Sequence, residues 1–333
     1  MDMDIRRQIG LFALGASLTI VASLVESAAD DSVAFIPREA FCAISLNLKA
    51  VREIEGGEFF PYEYTDVCVA EEYSFAPSSL DRVTWIFAAD EKTAPEFSAG
   101  VILHMAKPID LRRHIAKRSE IEPDEVVVHQ VDDLTIYESD ELYSYFAIQM
   151  DSKTVLLSHS EPFVLLMAAT KNAGTDLTKA LRQGDSVPDF AMVLTTNRLR
   201  HVVDEPIRQS PLPSEIKDLP AQIKVCTVFG KFDGVKLKIK AEVTADKTQA
   251  ARKVEDGIKE SLRYGEKAMA DLIKSQREVL DDDGLISFRY IHRLIRMAKR
   301  DIEWERKGKV VSFEYEFKNF LNLGWGLVIL FAS

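Results

Sequence analysis

The feature that most constrains the fold is an order of elements that occurs twice along the chain. Two β-strands followed by a helix are predicted between residues 82 and 117. The same order returns between residue 224 and about residue 280, with a longer helix. An order of elements that repeats within one chain is typical of an internal duplication. The sequence therefore predicts an α+β protein made of two related halves.

The second copy has the clearer strand pattern. Apolar and charged side chains alternate along 236–243, and Asp233 and Gly234 form a tight-turn signal just before this strand. Such alternation is typical of an antiparallel sheet with one buried face and one solvated face. The corresponding strand of the first copy, at 97–105, is apolar on both faces. We therefore expect the sheet of the first half to be more deeply covered.

A further strand and helix precede each copy, with an asparagine at the boundary between them. Asn47 and Asn197 occupy equivalent places, and asparagine is a preferred residue at a helix N-cap. Each half is thus predicted to be an antiparallel sheet with helices mainly on one face. The first half extends over 28–183. The second extends over 184–333 and contains a long helix at about 248–280.

The N-terminal segment resembles a targeting sequence. Arg6 and Arg7 precede an uninterrupted run of apolar or small residues, Ile9–Val25. These are the marks of a secretory signal peptide, so we predict that residues 1–27 are removed and that the chain is exported, to the periplasm or the extracellular space. The alternatives are an uncleaved anchor, in which Ile9–Val25 would contact the membrane, and a buried N-terminal helix.

Two long connections, Gly56–Ser79 and Asp204–Pro220, occupy the same place in the two halves, and the second contains four prolines. Connections longer than about 12–15 residues are usually functional or disordered. Aromatic side chains contribute large contact areas, so we predict a binding surface in the first loop. The alternative is that its rings cover the sheet of their own half. The candidate binding residues are Phe59, Phe60, Tyr62, Tyr64, Tyr73 and Phe75.

Charge excludes one class of partner and indicates another. The formal net charge of −11 argues against non-specific nucleic-acid binding, because a polyanion would be repelled over most of the surface. A helix predicted at Ser287–Arg300 nevertheless has basic residues along one face. Such a face binds anionic lipid or an acidic partner, or it pairs with carboxylates of its own chain.

Catalytic and metal-binding motifs are missing from the sequence. It contains no nucleophile elbow, no phosphate loop, no dinucleotide fingerprint and no zinc-binding helix motif. The six histidines are dispersed, and the one potential cluster would join His104 to His129 or His159 if their strands were neighbours. We predict no metal site and no cofactor.

The three cysteines are too few and too scattered for a metal site. We interpret them as core thiols, with a disulfide between one pair as the alternative in an oxidising compartment. They are Cys42, Cys68 and Cys226.

These patterns predict an exported, non-enzymatic binding or envelope-associated protein. It would recognise a protein or envelope partner through the two equivalent loops. The alternative is an extracytoplasmic hydrolase with a site between the two halves, built from dispersed carboxylates or histidines. The sequence determines neither catalytic residues for that alternative nor an oligomeric state.

Overall fold

The structure is a computed structural model of the 333-residue chain. Residues 1–30 and 318–333 are among those outside the described part. The described residues are 31–53, 66–67, 70, 74–89, 97–139, 145–170, 175–181, 188–233, 236–275, 289, 292–293, 295–297 and 299–317.

Within the described residues, the α+β fold is organised around a twelve-stranded antiparallel sheet. The spatial order of its strands is β11-β12-β10-β9-β8-β1-β2-β3-β7-β6-β5-β4. The strands are β1 Ala40–Asn47, β2 Leu80–Ala89, β3 Phe97–Met105, β4 Val128–Val131, β5 Leu134–Ser139, β6 Tyr145–Gln149, β7 Thr154–Ser158, β8 Phe190–Thr195, β9 Ile223–Asp233, β10 Lys236–Ala245, β11 Glu303–Lys307 and β12 Val310–Phe317.

Helices connect and cover the strands. Short 3₁₀ segments at Asp31–Phe35, Pro77–Ser79 and Pro123–Glu125 lie among the connections. The α-helices with assigned bounds are α1 Leu48–Glu53, α2 Leu111–Arg118, α3 Glu161–Ala169, α4 Asp176–Leu181, α5 Thr196–Gln209, α6 Ser214–Lys217, α7 Leu219–Gln222 and α8 Ala250–Ser275.

The two halves share one continuous sheet. β1 pairs with β8 in antiparallel register, with Ile44 opposite Met192. On each side of this pair the chain follows the same order of strand, helix, strand, strand and helix. The outer neighbour of β3 is β7, and the outer neighbour of β10 is β12. The predicted α+β architecture of antiparallel strands with two corresponding parts is therefore confirmed.

One face of the sheet, here called the first face, is covered along both halves. Helices α1 and α2 place Val51 and Ile115 in its core, and α5 and α8 add Leu199 and Met269. The first face is where most of the helices lie, as the sequence predicted.

The opposite face, here called the second face, is covered only over part of the sheet. Val33 of the first 3₁₀ segment, Phe163 of α3 and Leu177 of α4 pack there with the fully buried Ile102. Helix α3 lies so close to β3 that a Cβ atom at Gly100 would overlap the Met167 sulfur. A glycine is required at this close approach.

The outer strands of the second half leave the second face solvated. On β10 Ile239 and Ala241 are 7% and 1% exposed and face the core, while Lys238 and Lys240 are exposed on the other side. Lys236 and Glu316 form an ion pair across this solvated surface, with the Nζ and Oε1 atoms 3.2 Å apart. The alternation of apolar and charged residues along β10 therefore predicted correctly which face is buried and which is exposed to solvent.

The predicted N-cap asparagines have different outcomes. Asn47 caps α1, since its Oδ1 accepts a hydrogen bond from the Ala50 backbone N–H at 3.2 Å. The prediction for Asn197 is wrong, because Thr195 is the N-cap residue of α5 and its side chain makes no capping bond. Instead, the hydroxyl of Thr196 donates to the Ile223 carbonyl. The helix begins two residues too early for Asn197 to cap it.

The predicted loop at Asp204–Pro220 is also wrong, because most of it is helical. Helix α5 continues to Gln209, and α6 and α7 follow within a few residues. Pro213 is the N-cap residue of α6, and Pro220 lies in the first turn of α7. Proline is tolerated there because the first N–H groups of a helix have no intrahelical acceptor. The second half therefore does not contain the long loop that the sequence predicted.

Candidate functional site

The aromatic loop of the first half is only partly described. Of the six candidate binding residues, Phe59, Phe60, Tyr62, Tyr64 and Tyr73 lie outside the described residues. Phe75 is 2% exposed and stacks on the ring of His114, with 4.7 Å between ring centroids and 9° between planes. Phe75 therefore covers the first face of its own half, as in the alternative considered for these rings.

Arginine and histidine side chains hold the C-terminal part of this loop. Arg118 of α2 donates from Nη2 to the Ala70 carbonyl at 2.8 Å. The Nε2 atom of His114 lies 3.0 Å from the Ser74 carbonyl, so it carries the proton of this hydrogen bond. Arg52 of α1 donates from Nη1 to the Leu80 carbonyl at 2.6 Å. The described C-terminal part of the loop is thus bonded to two helices.

The setting of His114 disfavours its charged form. Burial lowers its pKa, because a charged imidazolium loses hydration, and the hydrogen bond to Ser74 opposes this shift. Ser74 has a φ of 62°, in the left-handed region, and it is 3% exposed. No local sequence pattern indicates these anchors, because they join backbone carbonyls to arginine and histidine residues 28 to 48 positions away.

A basic cavity lies beside α8 in the second half. Its volume is about 430 Å³. Residues 292–293, 295–297 and 299–301, which are helical, bring most of the lining side chains to it. The lining residues are Glu266, Arg293, Arg296, Met297, Lys299 and Arg300. The sequence indicated this basic face, but not the cavity between it and α8.

Among the described residues, Glu266 is the one carboxylate that lines the cavity. Its Oε2 atom lies 2.6 Å from Lys299 Nζ, and its Oε1 atom lies 3.7 Å from Arg296 Nε. The hydrogen bond from Lys299, strengthened by the charges of Lys299 and Arg296, lowers the pKa of Glu266. Arg300 forms a bidentate pair with Asp301 at 2.6 and 2.8 Å. Part of the basic face thus pairs with carboxylates of the same chain.

Positive charge exceeds negative charge in the cavity. Of the described residues, four cations line it against one carboxylate, an excess of three, and the pair of Arg300 with Asp301 reduces this to two. Within the described part of the chain, no carboxylate forms an ion pair with Arg293, which is exposed. The cavity can therefore accept an anion, since guanidinium and ammonium groups donate strong hydrogen bonds to anionic oxygens.

A row of polar residues crosses the junction of the two halves on the second face. Asn47 is opposite Arg82, which is opposite His104, which in turn is opposite Thr154. The Asn47 N–H donates to the carbonyl of Asp189 at 2.9 Å. Asp189, Asn47, Arg82 and Thr154 are each less than 5% exposed. These groups are therefore buried on the second face of the sheet.

The potential histidine cluster is not formed. β7, β6 and β5 lie between the strand of His104 and the strand of His129. His159 follows Ser158, which is opposite Gly100 and thus four positions along β3 from His104. Within the described residues, no group of three or more His, Cys, Asp or Glu side chains is placed to hold a metal ion.

Two of the cysteines are free thiols on the first face. Cys42 and Cys226 are both opposite Leu194, which lies on the strand between them. Two strand spacings amount to roughly 9–10 Å, which exceeds the Cα distance that a disulfide spans. Burial raises the pKa of each thiol to about 12. Neither is a reactive thiolate at neutral pH, and Cys68 lies outside the described residues.

No helix in the described part of the chain is long and apolar enough to cross a membrane. The predicted segment Ile9–Val25 lies outside that part.

Comparisons with known proteins give little. No protein-family model matches the chain, and no curated protein matches it. Among solved structures, crystal form I of TP0453 is similar with a TM-score of 0.44 and 9% identity, covering 91% of this chain and 98% of that chain. Crystal form IV of TP0453 has a TM-score of 0.44 and 8% identity, covering 92% and 98%. Similarity at this level supports no statement about function.

Proposed function

We propose that the protein is a non-enzymatic binding protein that holds an anionic group of the phosphate class in the basic cavity. The observation that carries this proposal is a cavity with four cations and one carboxylate in a chain whose net charge is −11. A basic face in an acidic protein concentrates the positive potential at one place. It therefore favours a small anion or an anionic headgroup over an extended polyanion.

The residue types in the cavity favour phosphate over a simple point charge. Arginine presents a planar fork of donors that matches phosphate oxygens in a bidentate manner. Arg293 and Arg296 supply two such forks, and Lys299 supplies an ammonium group. A bound phosphate would compete with Glu266 for Arg296 and Lys299, so binding would release part of an existing ion-pair network.

The same cavity would suit a soluble phosphate or a phosphate headgroup at a membrane surface, and the test separates these sources. Calorimetry with inorganic pyrophosphate measures the first. Co-sedimentation with phosphatidylglycerol vesicles, compared with phosphatidylcholine vesicles, measures the second. We expect salt-sensitive binding to one anionic probe and no binding to phosphatidylcholine vesicles.

The cavity variant is Arg293→Ala with Arg296→Ala, and its matched control is Arg252→Ala with Lys253→Ala. The control removes the same charge from exposed positions near the start of α8, roughly 20 Å along the helix from Glu266. Losing charge-assisted hydrogen bonds should weaken binding about 10- to 100-fold in the cavity variant alone. Equal weakening of both variants, or no binding by the unchanged protein, would contradict the proposal.

We also propose that the protein is exported and associated with the cell envelope or an extracellular partner. The support is the sequence of residues 1–27, with Arg6 and Arg7 before Ile9–Val25. N-terminal sequencing of protein recovered from the extracytoplasmic fraction should give a start after residue 27. A retained Met1 in that fraction would favour the anchor, and recovery in the cytoplasm alone would exclude export.

The loop Gly56–Ser79 stays our proposal for a protein-recognition segment. The support is its aromatic composition and the C-terminal part held by Arg118, His114 and Arg52. A photo-crosslinking amino acid at Tyr62 should capture a partner in intact producing cells. The same group at Lys240, on the solvated sheet face, is the control position. Equal capture at both positions, or none at Tyr62, would count against the loop.

We infer further that the two halves arose by internal duplication. The shared order of strand, helix, strand, strand and helix on either side of the β1–β8 pair supports this inference. Profiles built separately from related sequences for 28–183 and 184–333 should align with each other at these elements. Failure of such profiles to align would favour convergence on one stable arrangement.

The alternative of a hydrolase with a site between the halves stays a prediction from the sequence. No described observation favours it, since the buried junction row is packed within the sheet.

A further inference from the structure

We propose that the edge strand β4 accepts an added β-strand from another protein, a segment with an apolar centre flanked by basic residues. This surface lies at one end of the sheet, in the first half, and it is distinct from the basic cavity. The inference does not depend on the proposed anion binding. It rests on the composition of the edge, the direction of its backbone groups and the charges around it.

The two edges of the sheet differ in composition. At one end, β11 has four charged residues in five positions, Glu303, Glu305, Arg306 and Lys307 around one tryptophan. Charged side chains on an edge strand are a common protection against pairing with another chain. At the other end, β4 has the sequence VHQV and no formal charge at neutral histidine. This edge lacks the protection that the opposite edge has.

Apolar side chains around β4 are exposed to solvent. Val127 is 55% exposed, Ile121 is 39% exposed and Val128 is 37% exposed. Val127 and Val128 lie immediately before and at the start of the edge strand, and Ile121 lies seven positions before it. Scattered exposed apolar residues are ordinary, but the two valines at an open strand edge provide contact area for an added strand.

The backbone of β4 offers hydrogen-bonding groups outward. The Glu138 N–H donates to the Val127 carbonyl at 3.2 Å, so Val127 is bonded inward to β5. Residues of an antiparallel pair alternate between inward-bonded and outward-facing backbone groups. In the observed register the N–H and C=O groups of Val128 and Gln130 therefore point away from β5. Two outward residues match the spacing that an added strand requires.

Carboxylates frame both ends of this edge. Before β4 stand Glu122, Asp124 and Glu125, and after it stand Asp132 and Asp133, all of them exposed. Glu138 on the neighbouring strand is also exposed and pairs with His129 at 2.8 Å. An added strand with basic residues at both ends would complement this distribution, which sets specificity and association rate.

The same charges disfavour a second copy of the chain. If two β4 strands paired in antiparallel fashion about their centres, Asp132 and Asp133 of one copy would face Val127 and Val126 of the other, and Asp133 would lie next to Glu125 of that copy. Parallel pairing would place Asp132 and Asp133 of the two copies side by side. Like charges opposite one another destabilise strand pairing. The occupant that fits the edge is therefore a basic–apolar–basic segment of a different protein.

The probe is a fluorescent synthetic peptide of alternating valine and threonine residues with two lysines at each end. Its control has two glutamates in place of each lysine pair. Fluorescence anisotropy should show salt-sensitive binding of the lysine peptide and no binding of the glutamate peptide. Amide NMR shifts should be largest at Val128 and Gln130. Equal binding of the glutamate peptide, or shifts confined to other strands, would overturn the proposal.

The backbone variant is Val128→Pro. Because the Val128 N–H points outward, proline should remove only a group that an added strand uses, and proline is tolerated on edge strands. Peptide binding should weaken about tenfold or more while the melting temperature stays close to that of the unchanged protein. If Val128→Pro lowers the melting temperature, its loss of binding could reflect a damaged strand. The charge variant described next leaves the strand intact and therefore tests binding separately.

The charge variant is Asp132→Asn with Asp133→Asn, and its control is Glu303→Gln with Glu305→Gln on β11. Asparagine suits position 132, where φ is 51°. The first variant should weaken binding and reduce its salt dependence, while the control should not. Sedimentation at several concentrations gives the remaining outcome. A dimer that Val128→Pro dissociates would assign the edge to a second copy and overturn the proposed occupant.

Discussion

The two halves of the sheet contain corresponding strands but protect them differently. In the first half, α3, α4 and the 3₁₀ segment at Asp31–Phe35 cover the second face, and helices α1 and α2 cover the first. In the second half, α8 and its neighbours cover the first face, and the second face of β10 is solvated. One strand order is thus compatible with a three-layer and a two-layer arrangement. The side chains on one face decide which arrangement forms.

The largest contrast should come from Ile102→Ala and Lys240→Ala, which change the second face in the two halves. Ile102 is fully buried on β3, so its truncation should cost about 2–5 kcal/mol of unfolding free energy. Lys240 is exposed on β10 and forms a 3.0 Å pair with Glu242, so its loss should cost less than about 1 kcal/mol. Urea unfolding followed by circular dichroism measures both. Similar losses would mean that another surface covers the second half in solution.

A smaller contrast lies within α8 and concerns its two glycines. A Cβ atom at Gly257 would lie 2.7 Å from Leu219 Cδ2 and 3.0 Å from the Glu215 carbonyl oxygen. Gly257→Ala should therefore cost about 1–3 kcal/mol by separating α8 from α6 and α7. Gly265 has no atom within 4 Å of that position. Gly265→Ala should stabilise by up to about 1 kcal/mol through helix propensity.

The opposite changes in stability expected for Gly257→Ala and Gly265→Ala can be measured as shifts of the urea unfolding midpoint in opposite directions. Stabilisation by both substitutions would show that α6 and α7 do not pack on α8 as closely as described. Destabilisation by both would indicate that Gly265 faces a surface outside the described residues.

The smallest contrast separates the two asparagines at equivalent places. Asn47→Ala removes the capping bond to the Ala50 N–H and should cost about 0.5–2 kcal/mol. Asn197 is exposed in the first turn of α5, where it is not the N-cap residue, so Asn197→Ala should change stability by less than about 0.5 kcal/mol. Thermal unfolding of the two variants in parallel tests this difference. A loss at Asn197 as large as that at Asn47 would restore the predicted cap.

The sequence predicted strands better than connections. The hairpin of β9 and β10 and the alternation of Ile239 with Lys240 were readable because side chains of a strand alternate strictly between two faces. The connection at Asp204–Pro220 was misread because prolines were taken as loop markers. Pro213 and Pro220 instead occupy helix starts, and the helices are stabilised by packing on α8 near Gly257. Packing of this kind overrides local propensity.

The candidate sites were predicted only in part. The basic residues of the helix after α8 were visible as a charged face, and Phe75 was visible as an aromatic residue in a long loop. The cavity opposite Glu266 and the stacking of Phe75 on His114 were not, because each joins residues about 30 to 40 positions apart. No local pattern specifies which surfaces meet.

By itself, the sequence determined the α+β fold class, the antiparallel strands and the solvated face of β10, because hydrophobic periodicity is a local property. Only the tertiary structure decided that β1 pairs with β8 to join both halves in one sheet. It also left β4 as an open edge framed by carboxylates and placed Glu266 beside Arg296 and Lys299. These results depend on strand order and helix packing, which are set by contacts between residues distant in sequence.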